Sequence, residues 1–394
     1  MDKHSRARPR VLTVGAFERD NFGDVLFLIL TRGYLEEAGM ESVAASTLTT
    51  RVPGEEGGIV RPAAALLTEE RWHAVWVVGG EIGGVRIDGA FGMTLPARER
   101  NVFARANPDV REMISQFIAG TGTEALAYLP DPALFPLNSE TPLIVNSIGL
   151  SNLRHGLDDE AAGRSDVILR RAARTLVREE ESRDYAAAHG FDVDLGPDMV
   201  HAISLRPGFL LREMPRPTEK PYVLVQINTE TIRARGMTEL TASIADLSRR
   251  LDVDVRLFAA GTANAHDSLE IYDVIVELAR RDEATDRISV ISARDPRLLA
   301  RWVAHAHLWI GTSLHGRIIS SSYGVPRVTL QNDKVARYAA TWDPAYPAGI
   351  IAGDWNDAVD AALALRDDPR EQERSAQLAE MANDNTRRLV GEIT

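Results

Sequence analysis

One pattern limits what this chain can fold into. Short apolar, β-branched runs recur, each ending in glycine or a small polar turn, and most lead into a segment of helical period. Residues 11–14 end at Gly15, residues 74–78 run into Gly79-Gly80-Glu81-Ile82-Gly83-Gly84, and residues 143–148 end at Gly149. Runs this short and this uniformly apolar read as strands buried on both faces, the habit of parallel sheets. Residues 25–38 read as a helix closed by Gly39, with Asp24 as its N-cap. Residues 161–179 read as one Ala-, Arg- and Leu-rich helix, and Glu181 opens a shorter one ending at Gly190. Segments 51–62 and 84–108 have no clear period and are expected to be long loops.

Pro215, Pro217 and Pro221 break this pattern and suit a linker. The alternation then resumes, with strands expected at 222–227, 255–258, 288–291, 307–310 and 325–330. Helices are expected at 238–251, 268–281, 297–304 and 314–323. A 394-residue chain exceeds what one core usually organises. The reading is therefore α/β, two Rossmann-like parallel-sheet domains facing a cleft. Residues 1–211 form an N-terminal domain, expected to take the acceptor, and 212–221 the linker. Residues 222–350 form a C-terminal domain, expected to take the donor, and 351–394 are helices that cross back toward the first domain.

Composition removes several functions. The formal charge of −12 argues against nucleic acid, whose binding needs cations on phosphates. The absence of cysteine removes disulfides, thiol nucleophiles and cysteine-held metals. No apolar run is long enough to span a membrane, and the basic start leads into a strand instead of a signal segment, so a cytoplasmic location is expected. Dinucleotide, P-loop and serine-elbow motifs are missing. His305 and His307 flank a helix end and a buried strand, and read as structural; no metal is expected.

Gly311 to Pro326 carries the sharpest local signal. A buried run ends at Gly311, Thr312 or Ser313 can cap a helix starting at Leu314, and Gly324 and Pro326 close it. The first-turn amides of such a helix suit a phosphate or carboxylate. His315 adds a titratable hydrogen-bonding group in that turn.

The strand-end loops also carry a resemblance. Asn21-Phe22-Gly23-Asp24 before a Leu-rich helix resembles the N-x-G-D signature of the polysaccharide pyruvyl transferase family. Ser313-Leu314-His315-Gly316, with Gly324-Val325-Pro326 behind, is similar to its S/R-x-H-G…G-x-P signature. Glu181-Ser182-Arg183-Asp184 and Gly196-Pro197-Asp198 resemble its mid-chain elements, and Asp333-Lys334 a later one. The elements occur in family order between about Val11 and Trp342. Two positions depart from the pattern. Ser313 stands where many members have an arginine, and Asp198 lacks the proline that follows it in a D-P-A element.

The resemblance implies a fold like that of the GT-B glycosyltransferases. It implies transfer of the enolpyruvyl group of phosphoenolpyruvate to sugar hydroxyls, with a pyruvate ketal formed and phosphate released, and neither metal nor cofactor. The partners implied are phosphoenolpyruvate and a sugar or a lipid- or nucleotide-linked glycan, with peripheral membrane contact left open and the oligomeric state unassigned. His315 is then an acid or a phosphate holder, and Asp24 a base or only a cap. Ser313, Leu314, Gly316 and Arg317 fall on the donor side. Arg317 lies two residues past His315 but on the Ser313 side of the helix. Arg233, Arg235 and Lys334 are the cations that could replace the missing arginine. Asn21, Gly23, Gly79, Gly80 and Asn146 would line the acceptor or cleft loops. Two rivals remain. One is a GT-B glycosyltransferase using a sugar nucleotide. The other is a non-catalytic sugar- or nucleotide-binding regulator, which Ser313 favours.

Overall fold

The computed structural model describes residues 8–55, 58–123, 125–154, 159–263, 266–281 and 287–394. Of the basic start, residues 1–7 lie outside the described residues, as do 56 and 57 of the segment 51–62. The chain divides into two compact units. One holds residues up to Arg19, Asp24–Met199 and Asp384–Thr394; the other holds Asp20–Gly23 and Val200–Asn383.

The first unit is built on strands β1 (Arg10–Val14), β2 (Glu41–Ser46), β3 (Thr50–Arg51), β4 (Ile59–Pro62), β5 (Ala74–Val78), β6 (Leu143–Ile148), β7 (Arg174–Val177) and β8 (Asp194–Leu195). They lie in the order β3-β4-β2-β1-β5-β6-β7-β8. Every pairing is parallel except β3 with β4. Chain order reverses between β1 and β5, which sit in register with Val14 beside Val77. β5 is buried along its whole length, as an all-apolar central strand should be.

The second unit holds β9 (Tyr222–Gln226), β10 (Asp254–Leu257), β11 (Ile288–Val290), β12 (Leu308–Gly311) and β13 (Arg327–Thr329). Their order, β11-β10-β9-β12-β13, is all parallel and reverses between β9 and β12. A reversal of this kind opens a crevice beyond the carboxyl ends of the two central strands. Val223, Val225, Leu308 and Ile310 are fully buried from these strands and anchor the core of this unit.

Four expectations are corrected. Residues 161–179 are not one helix: Asp159–Arg171 is helical, and Arg174–Val177 is β7. The β-branched Thr175 and Val177 sit in a sheet whose packing overrides the helix-favouring composition around them. Segment 84–108 is largely helical, with Ile87–Thr94 and Ala97–Ala104 and a further helix, Pro108–Ala119, behind it. Segment 51–62 contributes to the β3–β4 pair. Asp24 is not a cap, because the helix Phe22–Glu37 begins two residues before it. Asn21 takes that place, its Oδ1 accepting from the Gly23 amide at 3.1 Å.

Candidate active site

At the reversal in the second unit, Gly311 pairs with Gln226 and the chain enters the helix Leu314–Ser322. Ser313 is the N-cap, its hydroxyl accepting from the Gly316 amide at 3.2 Å. Gln226 does the rest of the local satisfaction. Its Oε1 accepts from the amides of Thr312 and Ser313, both at 2.8 Å. The amide of Leu314 carries no hydrogen bond among the described residues, and it is the first one the helix N-terminus offers to an anion.

Gln226 is itself oriented by Asp267, which accepts from its Nε2 at 2.7 Å. Asp267 also accepts from the Ala260 amide at 2.6 Å. Burial pushes the Asp267 carboxyl up to about 7 against these bonds and the Arg294 charge.

The segment Asp20–Gly23, far away in sequence, is gathered onto the same edge. Phe22 donates its amide to the Ala260 carbonyl at 2.9 Å, and Asn21 bridges to Gly261. Arg294, beyond β11, binds Asp20 with Nη2 at 2.9 and 2.8 Å to the two carboxylate oxygens. Thr262 donates its amide and its hydroxyl to the same carboxylate. Phe22 packs edge-on to Phe258, and Phe258 edge-on to Trp309 of β12, each at 5.3 Å between centroids. Gly23 thereby backs onto His315: a Cβ there would lie 1.8 Å from the imidazole Nδ1. Only glycine allows this approach. On the other side of the helix start, a Cβ on Gly316 would meet the Trp309 ring at 1.9 Å.

The structure thus brings Asn21, Gly23, Ser313, Leu314, His315 and Gly316 together. Lys334 lies in the first turn of the helix Asp333–Trp342, whose N-cap Asn332 donates to the Thr312 carbonyl at 3.2 Å. Three expected cations are elsewhere engaged or placed. Arg317 is corrected from donor contact to internal brace. Its guanidinium is buried, 2.9 Å from Asp343 and donating to Thr329 Oγ1 and the carbonyls of Asp343, Tyr346 and Pro347. Arg235 pairs with Asp354 at 2.7 Å and Glu239 at 2.9 Å. Arg233 is exposed on the helix Thr229–Arg235.

In the first unit the strand reversal gathers the remaining candidates. Gly79 donates its amide to the Asn146 carbonyl at 2.9 Å. It has φ +67°, and an added Cβ would strike the Phe27 ring at 2.1 Å. A Cβ on Gly80 would lie 4.0 Å from Asp24 Oδ1, and Asp24 sits 3.6 Å from Arg19. Asn146 is corrected from loop contact to core: it is fully buried, with Nδ2 3.5 Å from both Met199 Sδ and Thr386 Oγ1.

Sequence reasoning missed Asp20, Gln226, Asp267 and Arg294 in the second unit, and Glu18 and Arg178 in the first. Glu18 is bonded to Ser46 and to the Tyr128 hydroxyl. Burial pushes its carboxyl up, against Arg19, Ser46 and Tyr128. Arg178 is fully buried, 3.2 Å from Asp198 and 3.3 Å from Glu81. Its signal was present: an Arg-Glu pair directly behind a β-branched run, hidden once that run was read as helix. Nothing local marks Gln226 or Arg294, whose side-chain partners are 35 residues and more away. Among the described residues no group of three or more acidic or histidine side chains could hold a metal, and no helix is long and apolar enough to cross a membrane.

The family model described as Polysaccharide pyruvyl transferase matches residues 21–334, a span that starts at the Asn21 loop and ends at Lys334. No curated protein matches the sequence. Among solved structures, a Listeria monocytogenes protein described as a UDP-N-acetylglucosamine 2-epimerase is similar at 13% identity and TM-score 0.53, over 97% of this chain and 94% of that one. S. aureus MnaA, solved with UDP, is similar at 12% identity and TM-score 0.51, over 95% and 91%. The UDP-GlcNAc 2-epimerase from Methanocaldococcus jannaschii is similar at 10% identity and TM-score 0.51, over 92% and 93%. At these identities the likeness establishes the fold, of GT-B type.

Proposed function

Since the chain belongs to the polysaccharide pyruvyl transferase family, and is by that membership a transferase, we propose that it moves the enolpyruvyl group of phosphoenolpyruvate onto two hydroxyls of a sugar in a glycan or glycan precursor. The observation that carries this reading is the contact of Gly23 with His315, which joins two motifs almost 300 residues apart at the strand reversal of one sheet.

One sugar hydroxyl gives its proton, in effect, to the methylene carbon, which becomes a methyl group. Two sugar oxygens bond to C2 of the donor, the C2–O bond to phosphorus breaks, and the second hydroxyl proton leaves with phosphate. The helix start at Leu314 supplies an amide and a partial positive charge for the donor's phosphate or carboxylate. His315 in the same turn supplies either the proton for the methylene carbon or a hydrogen bond to the leaving phosphate. Lys334, in the turn capped by Asn332, is the cation proposed to stand in for the arginine absent at position 313. Asp24, beside Gly80 and Arg19 in the first unit, is the proposed base toward the acceptor. No metal or cofactor enters these steps, and the reaction is proposed for the cytoplasmic side, where phosphoenolpyruvate is made.

Phosphate release from phosphoenolpyruvate, measured across a panel of free and linked sugars, tests this. Sugar-dependent release is the expected result; release with none of them, alongside turnover of a UDP-sugar, would overturn it. The second reading, a sugar-nucleotide glycosyltransferase, draws on the UDP in the S. aureus MnaA structure.

A further inference from the structure

The first unit contains a cavity of about 550 Å³ that none of the steps above uses. It is walled by Ala63, Ile87, Ala119, Leu129 and Ile168, and its exposed lining is mostly apolar. A cavity of this size and character matches a small-molecule site. Thr47 is one of its polar lining residues, and its buried hydroxyl oxygen has no partner among the described residues. Ser46, also in the wall, reaches the Gly15 carbonyl at 2.8 Å and the Glu18 carboxyl, at the carboxyl end of β1. Through Ser46 the cavity wall is therefore bonded to the loop carrying Glu18 and Arg19, and Arg19 pairs with Asp24.

Two features describe the occupant. Of the acids lining the cavity, Asp131 pairs with Arg171 at 3.0 Å and Glu160 with Arg164, the one lining arginine, at 2.7 Å, so the lining charges largely compensate one another and no lining arginine is left for an anionic group. Apolar surface continues outward from it: Leu134 and Val167 line it yet are 75% and 46% exposed. The helix Pro108–Ala119, whose last residue lines the cavity, also leaves Met113 and Phe117 exposed. Exposed apolar groups in such continuity mark a binding surface.

We infer that this cavity holds the uncharged apolar aglycone of the acceptor, an alkyl or aryl group attached to the sugar that receives the ketal. The occupant's identity rests on the proposed function; the existence of an uncharged apolar site does not. The probe is N-phenyl-1-naphthylamine, a neutral fluorophore, and the variant is Gly163→Leu. Gly163 lines the cavity from the helix Asp159–Arg171, and beyond its own helix turn a Cβ there meets nothing within 4 Å, so a leucine has room there and favours the helix.

Wild-type protein is expected to bind the fluorophore saturably, one to one. The variant should bind at least tenfold more weakly with an undiminished melting temperature. Octyl and phenyl glycosides should displace the fluorophore, and the free sugar should not. In phosphate release, the alkyl or aryl glycoside should show a lower KM than the free sugar. Gly163→Leu should erase that difference and leave kcat on the free sugar unchanged. Equal fluorophore affinity in the wild type, Gly163→Leu and a second filling variant, Ala119→Leu, overturns the site while leaving the transferase reading intact. Saturable binding with no turnover of any acceptor overturns the acceptor as occupant and the transferase reading with it, and the apolar site stands.

Discussion

His315 occupies a first turn that the distant Gly23 backs onto, and this sets what its substitution should do. His315→Ala is expected to lower phosphate release from phosphoenolpyruvate by about 10²–10⁴-fold, the usual worth of a positioned acid. A wild-type rate in that variant would remove the role. His315→Gln separates the two uses: it keeps a hydrogen bond for phosphate but cannot deliver a proton, so partial recovery would assign His315 to phosphate. Gln226 illustrates a different kind of dependence. Its Oε1 serves two amides at once, one buried and one part-buried, so Gln226→Leu strips both of their acceptor. An unsatisfied buried donor costs about 1–3 kcal/mol, so equilibrium urea unfolding should show a loss of at least that size. The histidine was legible in the sequence because its helix-start context is local. The glutamine was not, because nothing about a Gln at the end of a strand says which amides it will meet.

Two short segments decide whether that site exists, the turn Asp20–Gly23 and the helix Leu314–Ser322. Asp20–Gly23 leads into a helix of the first unit, yet it clusters with the second. Arg294, Thr262 and the Ala260 carbonyl hold it there. Gly23→Ala places a methyl where the imidazole stands, while alanine suits a first helical turn. The expected outcome is a small change in melting temperature with a fall of about 10²-fold in kcat/KM, the scale of an ångström's misplacement. Unchanged kinetics would mean that the ring moves aside at no cost. At this scale the sequence reading located nearly every strand of the second unit from periodicity. It failed at residues 174–177, where helix-favouring neighbours concealed a strand and, with it, the buried Arg178. The Leu314–Ser322 helix was legible; the inward aim of Arg317 from that helix was not, since it answers to Asp343 and to carbonyls 26 to 30 residues on.

Across the whole chain, charge buried for structural reasons should show in the pH dependence of stability. Burial pulls His201 down to about 3, against Asp343 and with Arg327 adding to the pull, and its ring stacks on Tyr338. An unfolded histidine takes its proton near 6.5, so this contribution is complete above that pH and lost as pH falls toward 3. Asp267 runs the other way: raised to about 7, it stabilises below the ordinary carboxyl range and loses that contribution as pH rises to 7. Replacing His201 with Phe keeps the stacked ring and removes the proton site. Melting temperature should therefore decline less between pH 6.5 and 4 in the variant; an identical decline would place the acid sensitivity elsewhere. Burial also tends to raise Asp343, but the guanidiniums of Arg327 and Arg317 outweigh it and hold the carboxyl below its usual range, so the cluster stays ionised through that window. By itself the sequence determined the α/β class, the two parallel sheets and the helix start at Leu314, because strand and helix periods and caps are properties of neighbouring residues. Only the tertiary structure decided which arginine braces the core, which glycine admits the imidazole, and that a cavity lies behind Ser46. Those outcomes depend on where segments tens to hundreds of residues apart come to rest, and the partners met there fix whether a charged or polar group serves the fold or a ligand.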